Sequence, residues 1–141
     1  MKAIAIVVLL NAAIAAWAAD EIQISARLKV DNGDFSAERQ PSTIKVDQTT
    51  LGADSGIQII GTNWEAVTVG DLSVYGWAQF RNTDTTDSLY LAVVDASTNY
   101  HEFAELEAGE PALFRLFTNV TLYAKAASTN SVKLDKLMLE D

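Results

Sequence analysis

The stretch Ile22-Gln23-Ile24-Ser25-Ala26-Arg27-Leu28-Lys29-Val30 alternates apolar and polar residues, and Asp31-Asn32-Gly33-Asp34 follows it directly. A period of two is the mark of a strand with one packed and one wet face, because successive side chains leave a pleated chain on opposite sides. Ile22, Ile24, Ala26, Leu28 and Val30 are therefore expected to face a core, and Asn32-Gly33 to turn the chain at little steric cost. The same grammar recurs in Ile44–Thr50, Ile57–Gly61, Trp64–Val69, Trp77–Asn82, Leu89–Asp95, Tyr100–Leu106, Ala112–Phe117, Val120–Ala126 and Val132–Leu139, each five to eight residues long. Connectors rich in Gly, Pro, Asn, Asp, Ser and Thr separate them. Short strands at a spacing of about 8–12 residues imply a single all-β domain, an antiparallel β-sandwich or jelly-roll-like fold, over residues 19–141.

Two segments admit a second reading. Phe103 and Leu106 lie three apart and suit a short helix, but the alternation of Tyr100, Glu102, Ala104 and Leu106 between turns favours a strand. In Val132–Leu139 the apolar face passes from Val132 and Leu134 to Leu137 and Leu139, as a bulge around Asp135-Lys136 would produce.

Composition narrows the chemistry. The chain has 141 residues, 49% of them hydrophobic and 21% charged, which suits one globular domain and excludes a disordered tail or a collagen-like repeat. With no Cys there is no thiol nucleophile, thiolate-bound zinc, iron–sulfur cluster or disulfide, and a single His leaves little acid–base capacity near neutrality. Ten Lys and Arg against 19 Asp and Glu give a formal net charge of -9, which repels nucleic acid and anionic lipid. No nucleic-acid partner, membrane partner or cofactor is expected.

Residues 1–18 read as a leader. Lys2 provides a basic start, Ile4–Leu10 the centre of an apolar stretch that would form a short helix, and Ala16 and Ala18 flank Trp17 in the small-x-small cleavage pattern, with the cut expected after Ala18. A false-start extension and a retained anchor are the alternatives, although the stretch is shorter than the about 20 strongly apolar residues of a membrane span and holds Asn11.

The candidate chemistry is sparse. His101 adjoins Glu102, but neighbours on a strand point to opposite faces and cannot act on one another. Asp31-Asn32-Gly33-Asp34 and Asp84-Thr85-Thr86-Asp87 gather oxygen ligands, yet neither follows the calcium-loop pattern, and turn chemistry accounts for both. No pair of carboxylates is singled out for glycoside hydrolysis. Among the aromatic residues Trp64, Tyr75, Trp77, Tyr90, Tyr100 and Tyr123, the first three form a candidate interaction surface, against the plainer reading that Trp64 and Trp77 fill the core. Asn119-Val120-Thr121 fits the glycosylation acceptor pattern.

From Gly61 onward, Gly61-Thr62, Glu65-Ala66, Gly70-Asp71-Leu72, Gly76-Trp77-Ala78-Gln79-Phe80-Arg81-Asn82, Leu106-Glu107-Ala108-Gly109-Glu110, Ala112-Leu113-Phe114-Arg115-Leu116 and Leu122-Tyr123-Ala124-Lys125-Ala126 appear in an order and spacing that resembles a family of small tailed-bacteriophage virion structural proteins. The resemblance spans most of Ile22–Asp141 and implies assembly into a particle in the host cytoplasm, as a homo-oligomer or beside other virion proteins. It carries no catalytic residue to transfer. The glycines then sit at strand ends, Glu110-Pro111 makes a turn, and Arg81 and Arg115 pair with acids on adjacent strands.

The resulting expectation is a non-enzymatic capsid decoration, head or tail accessory subunit. The alternative is an exported module, secreted or periplasmic, that binds a glycan or surface partner through Trp64, Tyr75 and Trp77. A secretory leader fits the second reading better than the first.

Overall fold

The computed structural model describes residues 22–40, 42–48, 50, 52–118 and 120–141, so the leader, its expected helix and Asn119 of the acceptor pattern lie outside the described residues. Within them the chain is all-β and every strand pairing is antiparallel. It divides into two compact units, Met1–Thr49 and Thr50–Asp141, each described here by itself.

The first unit is a ribbon. β1 (Ile22–Ile24) pairs with β4 (Ile44–Val46), and β2 (Leu28–Asn32) pairs with β3 (Phe35–Arg39) in the same hairpin sense. Asn32 faces Phe35 across the tip, leaving Gly33 and Asp34 as the two loop residues. Gly33 has φ +57° at the first loop position, the placement favoured in type II′ hairpins, whose backbone twist matches that of the flanking strands. The expected turn is present, but the single strand Ile22–Val30 is broken at 25–27 and its inward face is not packed. Ile22 is buried, whereas Leu28 is 74% and Val30 40% exposed, and every residue of β2 and β3 is exposed. Alternation describes a two-faced strand equally well whether or not anything covers the apolar face.

The second unit is built from two four-stranded sheets. One has the order β10-β7-β12-β5, with β5 at Ala53–Ile60, β7 at Tyr75–Asn82, β10 at Pro111–Arg115 and β12 at Val132–Glu140. The other has the order β6-β11-β8-β9, with β6 at Glu65–Ala66, β8 at Leu89–Val94, β9 at Tyr100–Leu106 and β11 at Leu122–Ala126. Both contribute to one core: Ile60, Phe80, Leu134 and Met138 from the first, Leu89, Leu91, Leu122 and Ala124 from the second. Phe80, Ile60, Leu91 and Leu134 are completely buried, each worth about 1.5–3 kcal/mol relative to exposure. Tyr100–Leu106 is a strand, as the alternation favoured.

β12 corrects one expectation. It pairs with β5 in unbroken register from Val132 to Leu139, so there is no bulge at Asp135-Lys136; the irregularity lies between Met138 and Glu140 on the β7 side. The inward face runs Val132, Leu134, Lys136, Met138. Lys136 is tolerated there because its ammonium meets the Asp54 carboxylate, with side chains only 5% and 25% exposed. Near the same irregularity, β7 brings Gly76 so close to Asp141 that a Cβ would lie 2.9 Å from its carboxyl carbon, and only glycine leaves that room.

Candidate functional site

The two margins of the two-sheet unit differ. Where β5 and β6 border, Gln58 ties the sheets with polar bonds: its amide donates to Ala66 O (2.9 Å) and its carbonyl accepts from Thr68 N (2.9 Å). At the β9 and β10 margin the link is apolar. Phe103 of β9 meets Phe114 of β10 edge to face at 5.5 Å between centroids. Beside them opens a groove of about 440 Å³ lined by Val93, Val94, Phe114, Leu116, Phe117 and Leu122, among others. Its one charged lining residue, Arg115, is paired with Asp141 (2.6 Å) and lies 5.8 Å from the Trp77 ring. Phe117 is 84% exposed at this groove.

The outward side of the β10-β7-β12-β5 sheet also carries uncovered apolar residues. Cross-strand register sets Leu113, Gln79, Leu137 and Ser55 in one row and Pro111, Arg81, Asp135 and Ile57 in the next. Ile57 and Ile59, on the margin strand β5, are 63% and 65% exposed. A sheet packed on its inner face and still apolar on its outer one has the composition of an interface, whose apolar centre is interleaved with polar groups.

The aromatic residues separate. Tyr75 is buried, its hydroxyl donates to Val120 O, and burial holds that hydroxyl's pKa above the ordinary tyrosine value. It is thus withdrawn from any surface. Trp77 is half-buried, with an indole N–H that is fully covered and has no hydrogen-bond partner. Trp64 immediately precedes β6 of the other sheet, its ring stacks on Tyr100 (5.0 Å, 10°), and Tyr100 in turn meets Tyr123 edge to face at 5.1 Å. Lys125 lies 4.6 Å from the Trp64 ring, 5.4 Å from Tyr90 and 3.7 Å from the Glu102 carboxylate. The expected trio does not assemble. An unexpected set, Trp64, Tyr90, Tyr100 and Tyr123 around Lys125, does. Alternation could place Tyr90 of β8, Tyr100 of β9 and Tyr123 of β11 each on a face, but only the strand order brings them together.

The polar candidates are occupied by local structure. His101 contacts Asp95, not Glu102, at 2.9 Å. Asp95 also accepts from Ser97 N (2.8 Å) and Asn99 N (3.0 Å), and the His101 contact followed by the Asn99 bonds holds its pKa well below the usual carboxylate range. Asp84 accepts from the backbone of Thr85, Thr86 and Asp87 and has a lowered pKa, chiefly from the Thr86 and Asp87 amides. Both loops are turns stabilised by their own aspartates. Neither arginine pairs with an acid on an adjacent strand as expected: Arg115 meets Asp141, which follows β12 two strands away, and Arg81 donates to Gly109 O at 3.3 Å. Among the described residues no cluster of three or more His, Cys, Asp or Glu could hold a metal ion. Comparisons with family models, curated proteins and solved structures give no match.

Proposed function

We propose that this protein is a non-enzymatic structural subunit that works through protein–protein assembly, with a β-sandwich of jelly-roll-like type as its body. The shared core of the two antiparallel sheets supports that architecture. The observation that carries the function is uncovered apolar surface in both units: Leu28 and Phe35 on the ribbon, Ile57, Ile59 and Phe117 on the two-sheet unit, all more than 60% exposed. Subunits that assemble bury such surface against a neighbour. The motif order quoted above makes a tailed-phage virion, assembled in the host cytoplasm, the particle in question. Mass spectrometry of purified particles is expected to detect peptides from residues 22–141, and their reproducible absence would sink the virion reading.

A second reading, an exported module that binds a glycan, is favoured by the aromatic group around Lys125. Tyr100, 41% exposed, is its most open ring. Trp64 already lies between Tyr100 and Lys125, which leaves less of its ring for a sugar. On that reading the natural protein begins at Ala19, as its intact mass would show, and Tyr100→Ala weakens binding on a glycan array. An uncut cytoplasmic chain, or an array signal that Tyr100→Ala leaves unchanged, counts against it.

A further inference from the structure

Cross-strand register makes the ribbon two-faced. Leu28, Val30, Phe35 and Ala37 share one side with Asn32 and Arg39 at its two ends, while Lys29, Asp31, Ser36 and Glu38 share the other, where Arg27 and Glu38 pair at 2.9 Å. Leu28 is 74% and Phe35 61% exposed, so the apolar side is uncovered. A two-stranded hairpin with no buried face is marginally stable at best in water, and this one needs a surface to lie on.

Charge selects the surface. Residues 22–48 hold four basic side chains (Arg27, Lys29, Arg39, Lys45) and four acidic ones (Asp31, Asp34, Glu38, Asp47), whereas residues 50–141 hold five Lys and Arg against thirteen Asp and Glu. Two such acidic units repel when brought face to face. A neutral ribbon that carries its own cations can approach one without that penalty. The two-sheet unit offers an apolar groove of about 440 Å³ beside Phe103, Phe114 and Phe117, within the size range of sites that accept bulky apolar groups.

Resting on the assembly reading above, we propose that the apolar side of the ribbon, led by Leu28 and Phe35, docks in the Phe103–Phe114–Phe117 groove of a second copy of this chain. Side chains two apart on a strand are about 7 Å apart, so the strip runs from Leu28, opposite Arg39, through the Val30–Ala37 pair to Phe35, opposite Asn32 at the tip. Each copy holds one ribbon and one groove, so reciprocal exchange closes a dimer and one-way exchange propagates a ring or a chain.

The test uses the full chain and two substitutions at residues that are already exposed, Phe35→Asp and Phe117→Asp, with Ser36→Asp on the charged side as control. Molar mass comes from light scattering after size exclusion, and near-ultraviolet circular dichroism checks that the fold is kept. The wild type and Ser36→Asp are expected as multimers, and Phe35→Asp and Phe117→Asp as monomers with an unchanged spectrum. An equal mixture of the two monomers is expected to form a heterodimer, because one retains its groove and the other its ribbon. A monomeric wild type, a Phe35→Asp protein that remains multimeric, or a mixture that stays monomeric would overturn the proposal. Persistence of the Phe35→Asp multimer would leave the assembly reading standing on another face. Absence from particles, with complementation intact, would remove the virion reading and keep the ribbon contact.

Discussion

Asn82 is completely buried, and its side-chain amide joins three backbone groups. Its Nδ2 donates to Asp87 O (2.7 Å) and Leu106 O (3.0 Å), its Oδ1 accepts from Asp84 N (3.0 Å), and its own carbonyl accepts from Gly109 N (3.0 Å). Asn82→Ala strands three backbone groups and is expected to destabilise by about 3 kcal/mol in urea unfolding, since each orphaned polar group costs about 1–3 kcal/mol where water cannot replace the partner. Thr98 presents the opposite case, a β-branched residue at φ 65° in the turn between β8 and β9. Thr98→Gly should stabilise by about 1 kcal/mol, and unchanged or lower thermal stability would contradict the strain argument. Asp95 anchors the same turn. Its folded-state pKa is depressed, so its stabilisation is complete above the unfolded value of about 3.9 and is lost as the pH falls toward the folded value. The turn amides of Ser97 and Asn99 should therefore gain hydrogen-exchange rate, relative to the rest of β8 and β9, as acid is added below about pH 4, and Asp95→Asn should abolish that pH dependence. None of these three roles could be read from the sequence. An Asn ending a strand or an Asp opening a turn is common, and the Asn82 side chain finds its most distant partner 24 residues away.

β12 shows how much of an element the sequence discloses. Its length and strand character were legible from Val132, Leu134, Leu137 and Leu139, yet the apparent change of face was resolved by burying Lys136 rather than by a bulge. The missing information was Asp54, 82 residues away. The pairing makes an asymmetric prediction. Asp54→Asn leaves a buried ammonium uncompensated and should cost about 3–5 kcal/mol, whereas Lys136→Met leaves a carboxylate that water already reaches and should cost clearly less. Equal losses in denaturant titrations would contradict this reading. β3 and the first half of β5 were missed for a related reason. Phe35–Arg39 alternates over only two apolar residues and Ala53–Gly56 hardly at all, and both become strands because β2 and β12 supply the ladder partners.

At the scale of the whole molecule, the all-β antiparallel character followed from periodicity, whereas the grouping of strands into sheets did not, because order and register are properties of long-range pairing. That grouping moved the aromatic cluster to the β6-β11-β8-β9 sheet and divided the chain at residues 49 and 50. If the ribbon is covered by a neighbouring copy, trypsin should reach Arg27, Lys29, Arg39 and Lys45 faster in Phe117→Asp than in the wild type, with residues 50–141 surviving longest in both. Mass spectrometry of timed digests would show it, and equal cleavage rates would contradict it.

Among the described residues β12 follows eleven other strands yet lies between β5 and β7, which it joins into one sheet. During synthesis the ribosome delivers β5 and β7 well before the strand that joins them, at about 5–20 residues per second, so both wait with open inner edges. A message truncated before residue 132 would therefore leave a β10–β7 pair and an unpartnered β5, both prone to pairing with strangers, not a smaller version of the protein. Slow translation upstream of that point is expected to lower the soluble yield, and a chaperone that shields strand edges to restore it.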